Sequence, residues 1–106
     1  EPVTAVACFN DLHAAACLAA AARLGIAVPD ELAVIGLDDD DFAPFTHPAL
    51  TTVRLQPLAL AAHIWALALH ALGEGPPPAT FTMLGRLVER DSVQQQHIRA
   101  AIERKP

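Results

Sequence analysis

A chain of 106 residues holds one domain at most. Its apolar content of 53%, part of it alanine, is high for so short a chain and implies faces covered by something outside these residues. A net charge of −5, with only seven scattered Lys and Arg, excludes a phosphate-neutralising nucleic-acid surface within this chain. No apolar run reaches the ~20 residues of a membrane span; residues 58–72 come nearest, and His63 and His70 interrupt them.

Val3 to Phe9 has the small and β-branched composition of a fully buried strand. Asn10-Asp11 stops it and supplies an N-cap, and Leu12 to Leu24 reads as a helix closed by Gly25 in the left-handed conformation. Pro29-Asp30-Glu31 is a turn, and Leu32 to Leu37 is a second buried strand. Strand, helix and strand within about 35 residues make a βαβ unit, which requires parallel strands.

Asp38 to Pro48 reads as a loop with a short helical turn. Leu50 to Leu55 is a short strand or an extended link. Gln56-Pro57 opens a helix that Gly73 closes, and its apolar residues (Leu58, Leu60, Ile64, Trp65, Leu67, Leu69, Leu72) lie almost all round it, as on a helix buried on most sides. Gly75 to Pro78 is a stiff linker. Phe81 to Glu89 reads as a further strand and Gln94 to Arg104 as a polar helix or tail. With no complete sheet to cover its helices, the chain reads as part of a domain.

The run Val34-Ile35-Gly36-Leu37 ends in four aspartates, Asp38 to Asp41. In an open parallel sheet, ligands bind outside the carboxyl ends of the strands. Asn10 and Asp38 stand at two such ends and are expected to converge on one crevice. An amide offers donors and an acceptor, and a carboxylate accepts from two hydroxyls, a pairing suited to a sugar or another neutral polyol. The bland alternatives are that Asn10 or Asp11 only caps the helix, and that Asp38 to Asp41 form a solvated acidic loop. Asp38 has its direction set by the strand; Asp40 and Asp41 read as surface, and Asp39 stands between the two readings.

Cys8 and Cys17 read as two buried thiols of a reducing compartment. His13 and Cys17 have the four-residue spacing of a metal pair, but no second Cys/His pair accompanies them, so no metal is expected. Nor is a cofactor. No Ser/His/Asp arrangement or phosphate loop is present, which points away from an enzyme. The start, Glu1-Pro2-Val3-Thr4, lacks the basic residues of a secretory signal.

The stretch AVACFNDLHAAACLAAAARLGIAVPDELAVIGLDDDDFAPFTHPALTTVRLQP resembles the C-terminal part of the effector-binding domain of the lactose-repressor (LacI/GalR) family of transcription regulators. The matching pattern is a strand followed by Asn-Asp, an alanine-rich helix, Gly-x-x-Val-Pro-x-Asp/Glu, a strand ending Val-x-Gly-aromatic-Asp-Asp, then Pro-x-Leu-Thr-Thr-Val and Gln-Pro. The later LVERDSV resembles the closing strand of the family, and the likeness extends over residues 3 to about 93. Leu37 departs from it, standing where the family usually has an aromatic residue.

The resemblance implies an α/β, parallel-sheet, periplasmic-binding-protein-like (type I) fold present only as a C-terminal fragment. Residues 1–50 and 80–93 would belong to the C-terminal lobe, the 57–72 helix to the N-terminal lobe, and 94–106 to a tail. It places effector contacts at Asn10 and Asp38, with Asp11 and Asp39 beside them. It places dimer contacts at Leu12, Ala15 and Ala16 of the first helix and at Phe45, Thr46 and His47 of the loop. Partners would be a small-molecule effector such as a sugar, a second copy of the chain, and DNA only through a region absent here, in a cytoplasmic, non-membrane protein. The competing function is the periplasmic sugar-binding protein of an ABC transporter, which shares the fold.

Overall fold

The computed structural model describes residues 2–80 and 85–94. The chain divides into two compact units: one runs to Arg54 and resumes at Arg86, and the other is Leu55–Gly85.

In the first unit, strand β1 (Ala5–Ala7) leads into helix α1 (Asp11–Leu24), which returns to strand β2 (Ala33–Ile35). The two strands are parallel, pairing Ala5 with Ala33, Val6 with Val34 and Ala7 with Ile35, as the βαβ reading requires. Helix α1 begins at Asn10, an extended N-cap whose side chain accepts from the His13 N–H. It ends at Gly25, whose φ of 71° is the left-handed conformation that only glycine adopts at little cost. Both boundaries lie where the capping chemistry of the sequence puts them.

After β2 comes the acidic loop and a 3₁₀ turn at Ala43–Phe45, then strand β3 (Thr52–Arg54). A single parallel bridge, Ile35 to Thr51, joins β3 to β2. Backbone bonds from Gly36 N–H to Thr51 O (3.0 Å) and Asp38 N–H to Val53 O (2.9 Å) extend that contact. Strand β4 (Arg86–Val88) pairs antiparallel with β3. The order across the unit is therefore β1, β2, β3, β4, with the last strand reversed.

Ala14 and Leu18 of α1 pack on Val34, Ala43 and Leu50, with Cys8, Cys17, Val28 and Leu32 at the margin. Val34 points into this core while its neighbours Ala33 and Ile35 turn to the opposite side, where Ala5, Ala7 and Val93 join them along an open concavity. The expectation that the first strand is fully buried is thus corrected. Ala5 and Ala7 are exposed, and Val3 and Phe9 are 71% and 80% exposed, because α1 covers only one side of the strand pair.

In the second unit, helix α2 spans Pro57–Ala71, with proline in its first turn and Gly73 beyond it at a φ of 76°. Its limits agree with the sequence reading, but its burial does not. No residue of α2 is buried; Leu58 is 86% exposed, Trp65 66% and Leu72 74%. Apolar girth creates a demand for covering surface without supplying it. The chain that follows turns back only far enough for Glu74 N–H to reach Leu69 O at 2.9 Å and for His70 Nδ1 to stand 3.0 Å from Gly75 O. The polar helix or tail expected over 94–104, and the first half of the strand expected over 81–89, lie outside the described residues.

At the end of β2, a side chain on Gly36 would place its Cβ 2.0 Å from Asp11 Oδ1 and 3.1 Å from Leu50 Cδ2. Both neighbours are wholly buried and have nowhere to retreat. Gly36→Ala is expected to cost about 2–3 kcal/mol. In urea unfolding this appears as a lower midpoint at an unchanged m-value; a wild-type midpoint would contradict the packing described.

Candidate functional site at the strand tips

The ends of β1 and β2 are tied together beyond their ladder. Cys8 N–H donates to Ile35 O and Asp11 N–H to Leu37 O, each at 2.9 Å. The second bond joins the residue after Asn10 to the residue before Asp38. The two expected ligand residues therefore flank one hydrogen bond, at one edge of the sheet.

Their side chains differ in what they already do. Asn10 Oδ1 accepts from the His13 backbone N–H at 2.9 Å and stands 2.6 Å from His13 Nδ1. Its capping role is real, and its Nδ2 group has no partner among the described residues. Asp38 is exposed, and its carboxylate has no partner among the described residues either. Its φ is 109°, and that of Asp39 is 59°. Two successive non-glycine residues at positive φ mark a bend in the chain that costs about 1–3 kcal/mol per strained residue.

Asp11 and Asp39 are turned inward, and each is engaged by the chain itself. Asp11 is completely buried; it accepts from the Asp40 N–H at 2.8 Å and from the Thr52 hydroxyl at 2.5 Å. The Asp39 side chain is 3% exposed. One of its oxygens takes Arg90 Nη2 at 2.7 Å, and the other takes Arg54 through Nε at 2.7 Å and through Nη2. These two carboxylates are taken up in building this edge of the sheet, the rim at which Asn10 and Asp38 stand.

Thr52, Arg90 and Ser92 entered the sequence reading only as part of the family likeness, and their roles were not foreseen. Arg90 also donates to Leu50 O at 2.8 Å, and its backbone N–H donates to Thr51 Oγ1 at 2.9 Å. The Ser92 hydroxyl donates to Val34 O at 2.6 Å and accepts from Thr51 N–H at 2.8 Å. The Arg-x-Ser of the closing segment is thus a clasp on β2 and β3. Its signal in the sequence was two polar residues placed after an apolar stretch.

Electrostatics follow from this arrangement. Burial pushes the Asp39 carboxyl up, but hydrogen bonds and charge from Arg90 and Arg54 outweigh that and hold it below the ordinary carboxylate value. Asp40 goes the other way: lost hydration raises it first, and the carboxylates of Asp11, Asp38, Asp41 and Asp39 add to the rise. Cys8 is raised by burial and then by Cys17, a combination that keeps a thiol protonated and unreactive. No group of three or more His, Cys, Asp or Glu suited to a metal occurs among the described residues, and no helix among them is long and apolar enough to cross a membrane.

The residues expected at a dimer surface fall on one side of α1 and at the end of the 3₁₀ turn and just after it. Leu12 is 65% exposed and Phe45 85%; Ala16 and His47 are exposed, and Ala15 is half-buried. Thr46 instead turns its hydroxyl within reach of Ala43 O (3.0 Å) and Pro48 O (2.9 Å), bracing the loop. Ala16, Ala19, Ala20, Arg23 and Leu24 line a shallow apolar groove along α1.

Residues 1–93 match a family model described as a periplasmic binding protein-like domain. The chain is 38% identical over 90 residues to the HTH-type transcriptional regulator MalR of Streptomyces coelicolor, covering 84% of this chain and 26% of that protein. Among solved structures, a sugar-binding transcriptional regulator of the LacI family from Escherichia coli, complexed with phosphate, is similar at a TM-score of 0.69 and 36% identity; 85% of this chain and 32% of that one are covered. A LacI family regulator from Lactobacillus casei with bound sucrose is similar at a TM-score of 0.65 and 32% identity, over 85% and 33% of the two chains. The chain spans about a quarter of the length of the regulator.

Because the Asp39 pKa is lowered in the folded state, its ionised form stabilises the fold. That contribution is complete above the ordinary value of 3.8 and is lost as the pH falls from there through the lowered value. Asp39→Asn is expected to lower stability at pH 7 and to flatten the acid limb of stability against pH, with the two proteins converging in acid. Parallel curves down to the lowest pH would contradict the ion-pair geometry.

Proposed function

The chain belongs to the periplasmic binding protein-like domain family, in the form carried by LacI/GalR-type transcriptional regulators, and from that premise we propose that it is the effector-sensing and dimerising part of such a regulator. Asn10 and Asp38 form one wall of a site for a sugar or a similar small polar metabolite. Residues 1–50 and 80–93 form the C-terminal lobe around that wall, and the 57–72 helix is part of the N-terminal lobe. DNA contact resides in a region outside this chain, in keeping with a net charge of −5. The part described senses and does not catalyse.

One observation carries the reading. The single hydrogen bond from Asp11 N–H to Leu37 O is flanked by an amide whose NH2 group has no partner among the described residues and by a carboxylate held exposed in a strained turn. Strain of this kind persists where the surroundings enforce it and recurs at ligand sites. A polyol hydroxyl is able to accept from Asn10 and donate to Asp38. Effector binding then favours one arrangement of the lobes, in proportion to its differential affinity for the two.

Asp38→Ala in the complete protein is expected to remove a charge-assisted hydrogen bond of about 1.5–3 kcal/mol, weakening sugar binding roughly 10- to 100-fold. Titration calorimetry with a panel of neutral sugars checks this; unchanged affinity for a sugar that binds the wild type would reject the site.

Self-association is expected through the outer side of α1 and Phe45, where Leu12 and Phe45 are 65% and 85% exposed beside small residues that permit close approach. Sedimentation velocity should show a dimer or larger species that Ala16→Glu combined with Phe45→Glu dissociates. A monodisperse wild-type monomer at tens of micromolar would contradict it.

A further inference from the structure

We propose that His13 is a positioning residue that locks the Asn10 side-chain amide with its oxygen toward helix α1 and its NH2 group toward the rim, so that this strand tip meets a ligand as a hydrogen-bond donor only. The proposal rests on the reading of the strand tips as the effector site and deepens it by fixing which polar group each tip presents.

The assignment follows from one atom. Asn10 Oδ1 receives the His13 backbone N–H at 2.9 Å, so the atom there has to be an acceptor, which settles the amide orientation. His13 Nδ1 stands 2.6 Å from the same atom. A ring nitrogen is able to bond an acceptor only by donating, so the neutral imidazole carries its proton on Nδ1 and leaves Nε2 as the lone-pair nitrogen. The Phe9 ring meets the imidazole edge-on, with centroids 5.9 Å apart and planes at 87°, which braces the ring in the orientation the bond needs.

Two bonds on Oδ1 make an amide flip costly, since it would set NH2 against two donors. An unlocked asparagine offers a guest either an acceptor or donors; a locked one offers donors alone. Across the rim, the Asp38 carboxylate accepts alone. The pair therefore selects a guest with an acceptor for Asn10 and a donor for Asp38, which one hydroxyl or two adjacent hydroxyls provide. The carboxylates of Asp38, Asp40 and Asp41, which meet no arginine among the described residues, disfavour an anionic guest. The matching class is a neutral polyhydroxylated molecule, and not its phosphorylated or carboxylated derivative.

The test uses the complete protein without ligand, with imidazole ring nitrogens observed by 15N NMR at a pH where His13 is neutral. The expected result is the Nδ1–H tautomer for His13, identified by its loss in His13→Phe, and a return to the ordinary exposed-imidazole mixture in Asn10→Ala. A His13 found as Nε2–H in the folded wild type overturns the proposal. The second arm measures D-glucose and sucrose binding by calorimetry. His13→Phe, which retains an aromatic ring beside Phe9, is expected to weaken a sugar that binds the wild type by about 3- to 10-fold, the loss of roughly one ordered hydrogen bond. Unchanged affinity there also overturns it. Failure of both sugars to bind the wild type falls on the sugar reading alone, because the tautomer is read with no ligand present.

Discussion

The strand-tip architecture depends on one buried carboxylate. Asp11 sits in the first turn of α1, where the helix dipole favours negative charge, and it is completely shielded from water. It accepts from the Asp40 backbone of the acidic loop and from the Thr52 hydroxyl of β3. Its own N–H holds Leu37 at the end of β2. Helix, loop and two strands thus meet on one residue, and Gly36 is required beside it because no Cβ fits there. Asn10 and Asp38 occupy the rim because this junction places them there. Each hydrogen bond to a buried charge is worth about 1.5–3 kcal/mol, and an unmet one costs as much.

Around that junction lies a second set of charges with a different task. Asp39 follows the exposed Asp38 in the chain and pairs with Arg54 on β3 and with Arg90 after β4. These are the strands by which the chain leaves for, and returns from, the unit Leu55–Gly85. Asp39, the residue after Asp38, thus grips both connections, and Ser92 and Arg90 hold the closing segment to Val34 and Leu50.

Local order was legible in the sequence. The N-cap at Asn10, the left-handed Gly25, the closing Gly73, the proline opening α2 and the parallel pairing of two apolar strands all depend on neighbours a few residues apart, so spacing alone reveals them. The placing of Asn10 and Asp38 at one edge of the sheet was legible too, from the topology of a βαβ unit. The roles of Asp11 and Asp39 were not. Thr52 lies 41 residues from Asp11, and Arg90 lies 51 residues from Asp39, so no local pattern separates an inward carboxylate from a solvated one. Helix α2 shows the opposite error: an apolar surface announces a need for burial, yet which chain meets that need is not written in the helix.

The amide of Asn10 and the carboxylate of Asp38 are proposed to receive the same ligand. A crystal structure of the complete protein with a bound neutral sugar tests it most directly. Sugar hydroxyls are expected within about 2.6–3.2 Å of both Asn10 Nδ2 and an Asp38 oxygen, with Asp11 and Asp39 still holding Thr52 and the two arginines. A sugar seated elsewhere in the protein, with these two tips sealed off by packed side chains, would contradict it.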